Sequence, residues 1–180
     1  MARLLVILVA AAILTAAFFA TSRSSPSVAS SAAKAACSSK RLPPAAPAGE
    51  TVQWGHVKSL LRKGSRFELR FDPALWLSGV TAQRAAVADK VLRPGEPVPN
   101  DYYIRDESHR LLTYLVPAGA RVTVLTNATC STPIGVAELA QIVRGQNPKR
   151  RPLYDRGNHL GYWLRVRIDT VRSLDQQYQP

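Results

Sequence analysis

The stretch Phe71-Asp72-Pro73-Ala74-Leu75-Trp76-Leu77-Ser78-Gly79 decides the fold prediction, because it ends the clearest alternating run of the chain. Over residues 66–71 charged side chains alternate with large apolar ones, which is the period of a strand with one solvated and one buried face. The alternation stops at Asp72, and Asp followed by Pro typically begins a helical turn. We therefore predict a strand that leads into a short capped turn, with Trp76 buried in the core.

Similar alternating segments lie on both sides of this stretch and are separated by turn residues. The predicted strands are residues 52–62, 65–71, 102–105, 111–116, 121–126 and 162–171, and the predicted helices are residues 82–89 and 136–144. Several short strands with only two short helices predict a mainly β domain. We expect a small closed or nearly closed barrel of five or six strands, with an α+β sandwich as the alternative.

The N-terminal region predicts where the protein works. Residues 4–20 are uncharged and apolar apart from Thr15, and the small residues Ser27 and Ala29 then form a candidate cleavage site. We predict that residues 1–29 are either a cleaved signal peptide or an N-terminal membrane anchor. Residues 30–50 are rich in Ser, Ala and Pro and are predicted to be a flexible tether to a single globular domain at residues 51–180. In both cases the domain is extracytoplasmic, either secreted or anchored to the membrane by residues 4–20.

The charge of the chain is strongly positive, with 24 Lys and Arg against 12 Asp and Glu. Such a surface attracts polyanions. The candidate polyanion-binding residues occupy one polar loop and its flanks: Arg144, Lys149, Arg150, Arg151 and Arg156. We expect an anionic envelope polymer or lipid headgroups as the partner, because export argues against nucleic acid. A loop that is merely solvated is the alternative.

The residues that could form covalent or metal sites are few. Cys37 and Cys130 are predicted to form a disulfide, because exported thiols usually pair in an oxidising compartment. His56, His109 and His159 lack the spacing of metal ligands, and no Gly-rich phosphate loop is present. We therefore predict neither a metal site nor a cofactor.

Three stretches carry a resemblance beyond these patterns: FDPALWLSG at residues 71–79, VPNDYYIRDE at residues 98–107 and SLDQQY at residues 173–178. With them, residues 51–180 resemble an uncharacterised group of exported, single-domain bacterial proteins. The resemblance implies export and one compact domain. It implies no activity and no catalytic residues.

Two functions of different classes are consistent with the sequence. We expect a non-enzymatic extracytoplasmic module that recognises an anionic envelope component or another envelope protein, and that also meets the membrane if its N-terminal segment is not cleaved. The alternative is an enzyme acting on envelope polymers, with carboxylates such as Asp72 or Asp101 as acid and base. A cleft holding two carboxylates of raised pKa would favour the enzyme.

Overall fold

The computed structural model describes residues 36–37, 45–106, 110–156 and 158–179. Over these residues the chain forms nine strands and two α-helices. The strands are β1 (Ala36–Cys37), β2 (Thr51–Lys63), β3 (Arg66–Ser78), β4 (Tyr102–Arg105), β5 (Leu112–Pro117), β6 (Arg121–Leu125), β7 (Cys130–Ile134), β8 (Tyr162–Arg167) and β9 (Thr170–Gln176), and the helices are α1 (Gly79–Ala88) and α2 (Val136–Ile142). The prediction of a mainly β fold with two short helices is confirmed.

Five of these strands close into a ring. Strand β2 pairs with β3 on one side and with β8 on the other, β3 pairs with β5, β8 pairs with β9, and the contact of β5 with β9 completes the circle. That last contact is parallel and consists of one residue pair, Leu115 and Thr170, whereas the other contacts of the ring are antiparallel. The sheet continues from β9 through β6 and β7 to β1, and β4 pairs with the C-terminal end of β3.

The strands of the ring are strongly staggered. When the cross-strand pairs are followed through β5 and β3, Thr170 at the start of β9 aligns with Leu61 near the end of β2. When the pairs are followed the other way, through β8, the next residue Val171 aligns with Thr51 at the start of β2. A sheet closes on itself only when its strands tilt and shift in register in this way.

The core joins the inward face of the ring to one face of α2. Leu69 and Phe71 of β3 and Tyr162 of β8 are fully buried, and Val136 and Leu139 of α2 belong to the same apolar cluster. The alternation predicted for residues 66–71 is therefore confirmed, because its apolar members lie inside and its charged members lie outside.

The capped turn predicted at Asp72 is wrong, because β3 continues without a break to Ser78. Asp72 does not cap a helix; its carboxylate bonds Lys58 on β2, with a distance of 2.9 Å between Oδ2 and Nζ. Pro73 pairs with Gly55 on the β2 side. On its other side it has no partner, because the pairing of β3 with β5 ends at Phe71 and the pairing with β4 begins only at Leu75. A proline without a backbone N–H is tolerated at such an unpaired edge.

The C-terminal strand prediction is only partly correct. Residues 162–171 form two strands, β8 and β9, which turn back at Ile168 and Asp169. Strand β7 was not predicted, because Cys130–Ile134 contains a proline and shows little alternation.

The predicted signal or anchor at residues 1–29 lies outside the described residues. Among the residues that are described, none of the helices has the length and apolar character needed to cross a membrane.

Candidate aromatic binding cleft

Three strands bring the chain's three tryptophans together on the outer face of the sheet. Trp54 on β2 pairs directly with Trp163 on β8 and with Ala74 on β3. Trp76 follows two residues after Ala74 on β3 and therefore lies on the same face. The cluster is a consequence of strand register, since nearly 110 residues separate Trp54 from Trp163 in the sequence.

The rings of this cluster are in direct contact. The Trp76 ring centroid lies 5.4 Å from that of Trp54 and 5.9 Å from that of Trp163, with tilted planes. Tyr102, the first residue of β4, stacks on Trp76 with a centroid distance of 4.2 Å and an interplanar angle of 11°. Offset stacked and edge-to-face pairs of this kind are the favoured aromatic geometries.

A cleft of about 410 Å³ opens beside these rings. Its lining is mostly apolar and consists of Val52, Gln53, Trp54, Pro73, Ala74, Leu75, Trp76, Arg105 and Trp163. A concave, mainly apolar surface with a few polar groups is the usual character of a ligand site. We therefore take this cleft, which we call the tryptophan cleft, as the candidate functional site.

Trp76 lies at the exposed edge of the tryptophan cleft and not in the core. Its side chain is only partly buried, whereas Trp54 and Trp163 are 2% and 7% exposed. The prediction that Trp76 is a core residue is therefore wrong. The reason is the continuation of β3, which carries Trp76 beyond the ring to the place where β4 pairs with β3.

The C-terminal segment holds the floor of the cleft in place. The indole N–H of Trp163 donates to Oε1 of Gln177 at 3.1 Å, and the backbone N–H of Gln177 donates to the carbonyl of Gly161 at 2.9 Å. The buried N–H of Trp54, by contrast, has no acceptor among the described residues. A buried donor without an acceptor is uncommon in folded proteins.

One charged side chain lines the cleft, and a carboxylate neutralises it. The Arg105 guanidinium bonds both carboxylate oxygens of Asp89, with Nε 2.8 Å from Oδ2, and the Tyr103 hydroxyl donates to Oδ2 at 3.1 Å. The hydrogen bond from Arg105 lowers the pKa of Asp89, so this carboxyl stays ionised and holds the guanidinium in place.

A histidine and a carboxylate lie next to the cleft. His56 packs its ring edge-on against Trp54 at 5.1 Å and pairs across the strands with Asp72. Burial lowers the pKa of His56, and Lys58 lowers it further, while Asp72 and Asp106 act in the opposite direction. His56 is therefore neutral at pH 7. Asp72 is 5% exposed, and its Oδ1 has no hydrogen-bond partner among the described residues.

The two carboxylates that the sequence suggested for acid–base chemistry do not form a catalytic pair in the cleft. Asp72 is engaged with Lys58, and Asp101 is exposed at the 3-10 turn Pro99–Asp101 that precedes β4. Within the described part of the chain, no carboxylate is among the residues that line the tryptophan cleft.

The predicted basic loop is partly engaged in the fold. Lys149 and Arg151 both bind Glu138 of α2, with N–O distances of 2.8 Å and 2.5 Å. Burial alone would raise the pKa of Glu138, but the hydrogen bonds from these two cations outweigh it and lower the pKa. The other three candidates, Arg144, Arg150 and Arg156, are exposed.

The remaining sequence predictions concern cysteine and metal. The backbone of Cys37 on β1 pairs with that of Cys130 on β7, so the two residues are directly opposite each other. The disulfide between them stays a prediction.

Within the described ranges no three His, Cys, Asp or Glu residues lie close enough to hold a metal, and His109 falls outside those ranges.

The sequence of β8 contains one signal for the cleft. In β8 the buried residues Tyr162, Leu164 and Val166 alternate, and Trp163 is out of phase with them. A large apolar residue on the outer face of a strand indicates a second apolar surface.

Comparison with protein-family models, with curated proteins and with solved structures found no match to this chain.

Proposed function

We propose that this chain is a non-enzymatic, extracytoplasmic binding module that holds a sugar unit of an envelope glycan in the tryptophan cleft. The observation that carries the proposal is the convergence of Trp54, Trp76 and Trp163 on one cleft of about 410 Å³, with Trp76 held by the stacked ring of Tyr102. The fold itself gains little from leaving Trp76 partly exposed at the mouth of that cleft.

The chemistry of the lining matches a sugar ring. A pyranose has an apolar face of C–H groups and a rim of hydroxyl groups, and Trp and Tyr combine an apolar ring with a polar edge. Because Asp89 neutralises Arg105, the cleft favours an uncharged ring over a free anion.

The lining favours binding over catalysis. Hydrolysis of a glycan ordinarily requires two carboxyl groups on either side of the scissile bond. None of the described residues that line the cleft is a carboxylate, and the nearby Asp89 has a lowered pKa. A general acid would instead need a raised pKa.

The envelope location and the anionic partner rest on other parts of the chain. Residues 4–20 support export, and the net charge of +12 supports attraction to a polymer that carries anionic groups. The exposed Arg144, Arg150 and Arg156 would then contact the anionic groups of a polymer whose sugar ring sits in the cleft.

The proposal is tested by calorimetric titration of the protein with soluble oligomers of N-acetylglucosamine and of glucose. We expect saturable binding of one of these oligomers that Tyr102→Leu weakens by about tenfold, because it removes the ring that stacks on Trp76 and holds it at the cleft. Tyr154→Leu is the matched control, because Tyr154 is an exposed tyrosine that packs on Tyr178 and not on a tryptophan of the cleft. Equal weakening by both variants, or cleavage of the oligomers, would contradict the proposal.

A further inference from the structure

A second apolar surface lies on the outer face of the ring, away from the tryptophan cleft. Leu61 on β2 pairs across the strands with Glu68 on β3, and Glu68 pairs with Leu115 on β5. Directly paired residues share a face, so the two leucines lie on either side of Glu68. They are 45% and 40% exposed, although leucine is normally buried.

The turn between β8 and β9 adds a third apolar residue to this surface. The backbone N–H of Leu115 donates to the carbonyl of Asp169 at 2.9 Å, so the turn adjoins Leu115. Ile168 in this turn is 87% exposed, the largest exposure of any large hydrophobic residue in the described part of the chain. We call Leu61, Leu115 and Ile168 the outer apolar row.

Ile168 is also in an unfavourable backbone conformation. Its φ is 43° and that of Asp169 is 54°, as a two-residue hairpin loop with two left-handed residues requires. Asn and Gly are the residues that favour such a loop, whereas a β-branched side chain is strained there. Ile168 therefore contributes neither burial nor favourable turn geometry to the fold.

Basic residues flank the outer apolar row. Lys63 pairs with Arg66 on the same face, and Arg70 lies two residues beyond Glu68. Arg167 precedes the turn, and all four of these cations are exposed. Glu68 and Asp169 are the carboxylates set among them. Exposed apolar side chains surrounded by Lys and Arg are characteristic of a surface that meets anionic lipid.

We propose that the outer apolar row docks the domain on the surface of an anionic lipid bilayer. Ile168 enters the boundary between headgroups and acyl chains, Leu61 and Leu115 lie along that boundary, and the surrounding cations contact lipid phosphates. This assignment explains why a strained and exposed isoleucine occupies the tip of the turn. It is independent of the sugar ligand proposed for the tryptophan cleft.

The experiment must separate this surface from residues 4–20, which are themselves predicted to enter a bilayer. Full-length Ile168→Trp protein is therefore mixed with vesicles of brominated phosphatidylglycerol, which quench indole emission only on contact. Val80→Trp is the matched control, because Val80 is 67% exposed and lies in the first turn of α1, beyond the opposite end of β3. The three native tryptophans are the same in both variants, so the difference in quenching reports the added residue.

We expect strong quenching of Ile168→Trp and little quenching of Val80→Trp on phosphatidylglycerol, with much weaker quenching on brominated phosphatidylcholine. Adding Lys63→Ala and Arg66→Ala should weaken the vesicle contact about fivefold for each charge removed. Equal quenching at the two positions, no quenching at position 168, or no dependence on lipid charge would each overturn the proposal.

A second variant tests whether Ile168 serves the fold instead. Ile168→Asn places a residue that favours the left-handed conformation in the turn, so its melting temperature should equal or exceed that of the parent. A clear decrease in melting temperature would show that Ile168 stabilises the fold and would overturn the proposal.

Discussion

Gly161 lies directly against the indole ring of Trp54. A Cβ atom on Gly161 would be 2.2 Å from Cζ2 and 2.6 Å from Cε2 of that ring, distances that real Cβ atoms do not show. Trp54 is 2% exposed and has little space into which to move. The absence of a side chain at residue 161 therefore fixes the position of the cleft floor.

Gly161→Ala should displace Trp54 and change the shape of the tryptophan cleft. We expect a loss of about 1–3 kcal/mol in the free energy of unfolding, because an added methyl in a packed site forces its neighbours to shift. Binding of the sugar oligomer should be lost in the protein that remains folded. Gly119→Ala is the control, since a Cβ there meets no atom within 4 Å. Denaturant unfolding measures the stability of both variants, and calorimetry measures their binding of the sugar oligomer. Equal stability and equal binding in the two variants would contradict this prediction.

Trp76→Ala should affect binding more than stability. Because Trp76 is only partly buried, we expect the free energy of unfolding to fall by about 1–2 kcal/mol, less than for a core tryptophan. Sugar binding should weaken about tenfold or more, since Trp76 contacts both Trp54 and Tyr102. Leu77→Ala is the control, because Leu77 is also partly buried but does not line the cleft. If both variants bind alike, Trp76 is not a ligand contact.

The sequence predicted the strands better than it predicted where they end. Residues 66–71 alternate so regularly that both the strand and its buried face follow from local chemistry. The end of β3 depends on neighbours that are distant in sequence: Lys58 bonds Asp72, and β4 pairs with Leu75 to Ser78. These tertiary contacts override the local helix signal of Asp72-Pro73, because a strand is stabilised mainly by its cross-strand partners.

The site was harder to predict than the fold. Trp54, Trp76 and Trp163 meet only because β2 pairs with β3 and β8 in one particular register, and a shift by one residue would move a tryptophan to the other face. No local pattern specifies that register. The turn at Ile168 and Asp169 was missed for a different reason, since Ile168 is a typical strand residue and Asp169 continues the alternation of outward-facing polar residues with Arg165 and Arg167.

The basic loop should separate into a structural part and a binding part. The triple variant of Arg144, Arg150 and Arg156 to Ala should bind an anionic polymer support more weakly, with an unchanged melting temperature, because these side chains are exposed. Arg151→Ala should instead lower the free energy of unfolding by about 2 kcal/mol, because it leaves the buried Glu138 with one cation fewer. Salt-gradient elution and thermal melts measure the two effects. If the parent and the triple variant elute from the anionic support at the same salt concentration, the loop is only solvated and does not bind the polymer.

His56 should make stability depend on pH. Its folded-state pKa is lowered, first by burial and then by Lys58, so the unfolded chain binds the proton more tightly. Stability should therefore be constant above about pH 6.5 and fall as the pH drops from there toward the folded-state pKa. Asp72 and Asp106 raise the pKa of His56 and so partly offset the lowering by burial and by Lys58.

Melting temperatures of the parent and of His56→Gln between pH 7 and the onset of acid unfolding check this prediction. The variant should lose the part of the pH dependence that lies just below about pH 6.5. The exposed His159→Gln serves as the control and should retain it. Parallel curves for His56→Gln and the parent would contradict the prediction.

A disulfide between Cys37 and Cys130 should fasten β1 to β7 at the edge of the sheet. The two residues are paired across β1 and β7, and directly paired antiparallel residues have Cα separations of about 4.5–5.5 Å, within the range that a disulfide spans. Closing a loop of roughly 90 residues is worth about 4 kcal/mol in the chain-entropy model. A reductant should therefore lower the melting temperature of parent protein produced in an oxidising compartment but leave that of the double variant Cys37→Ser, Cys130→Ser unchanged. Two thiols that react with a labelling reagent in the unreduced, denatured protein would show that the bond does not form.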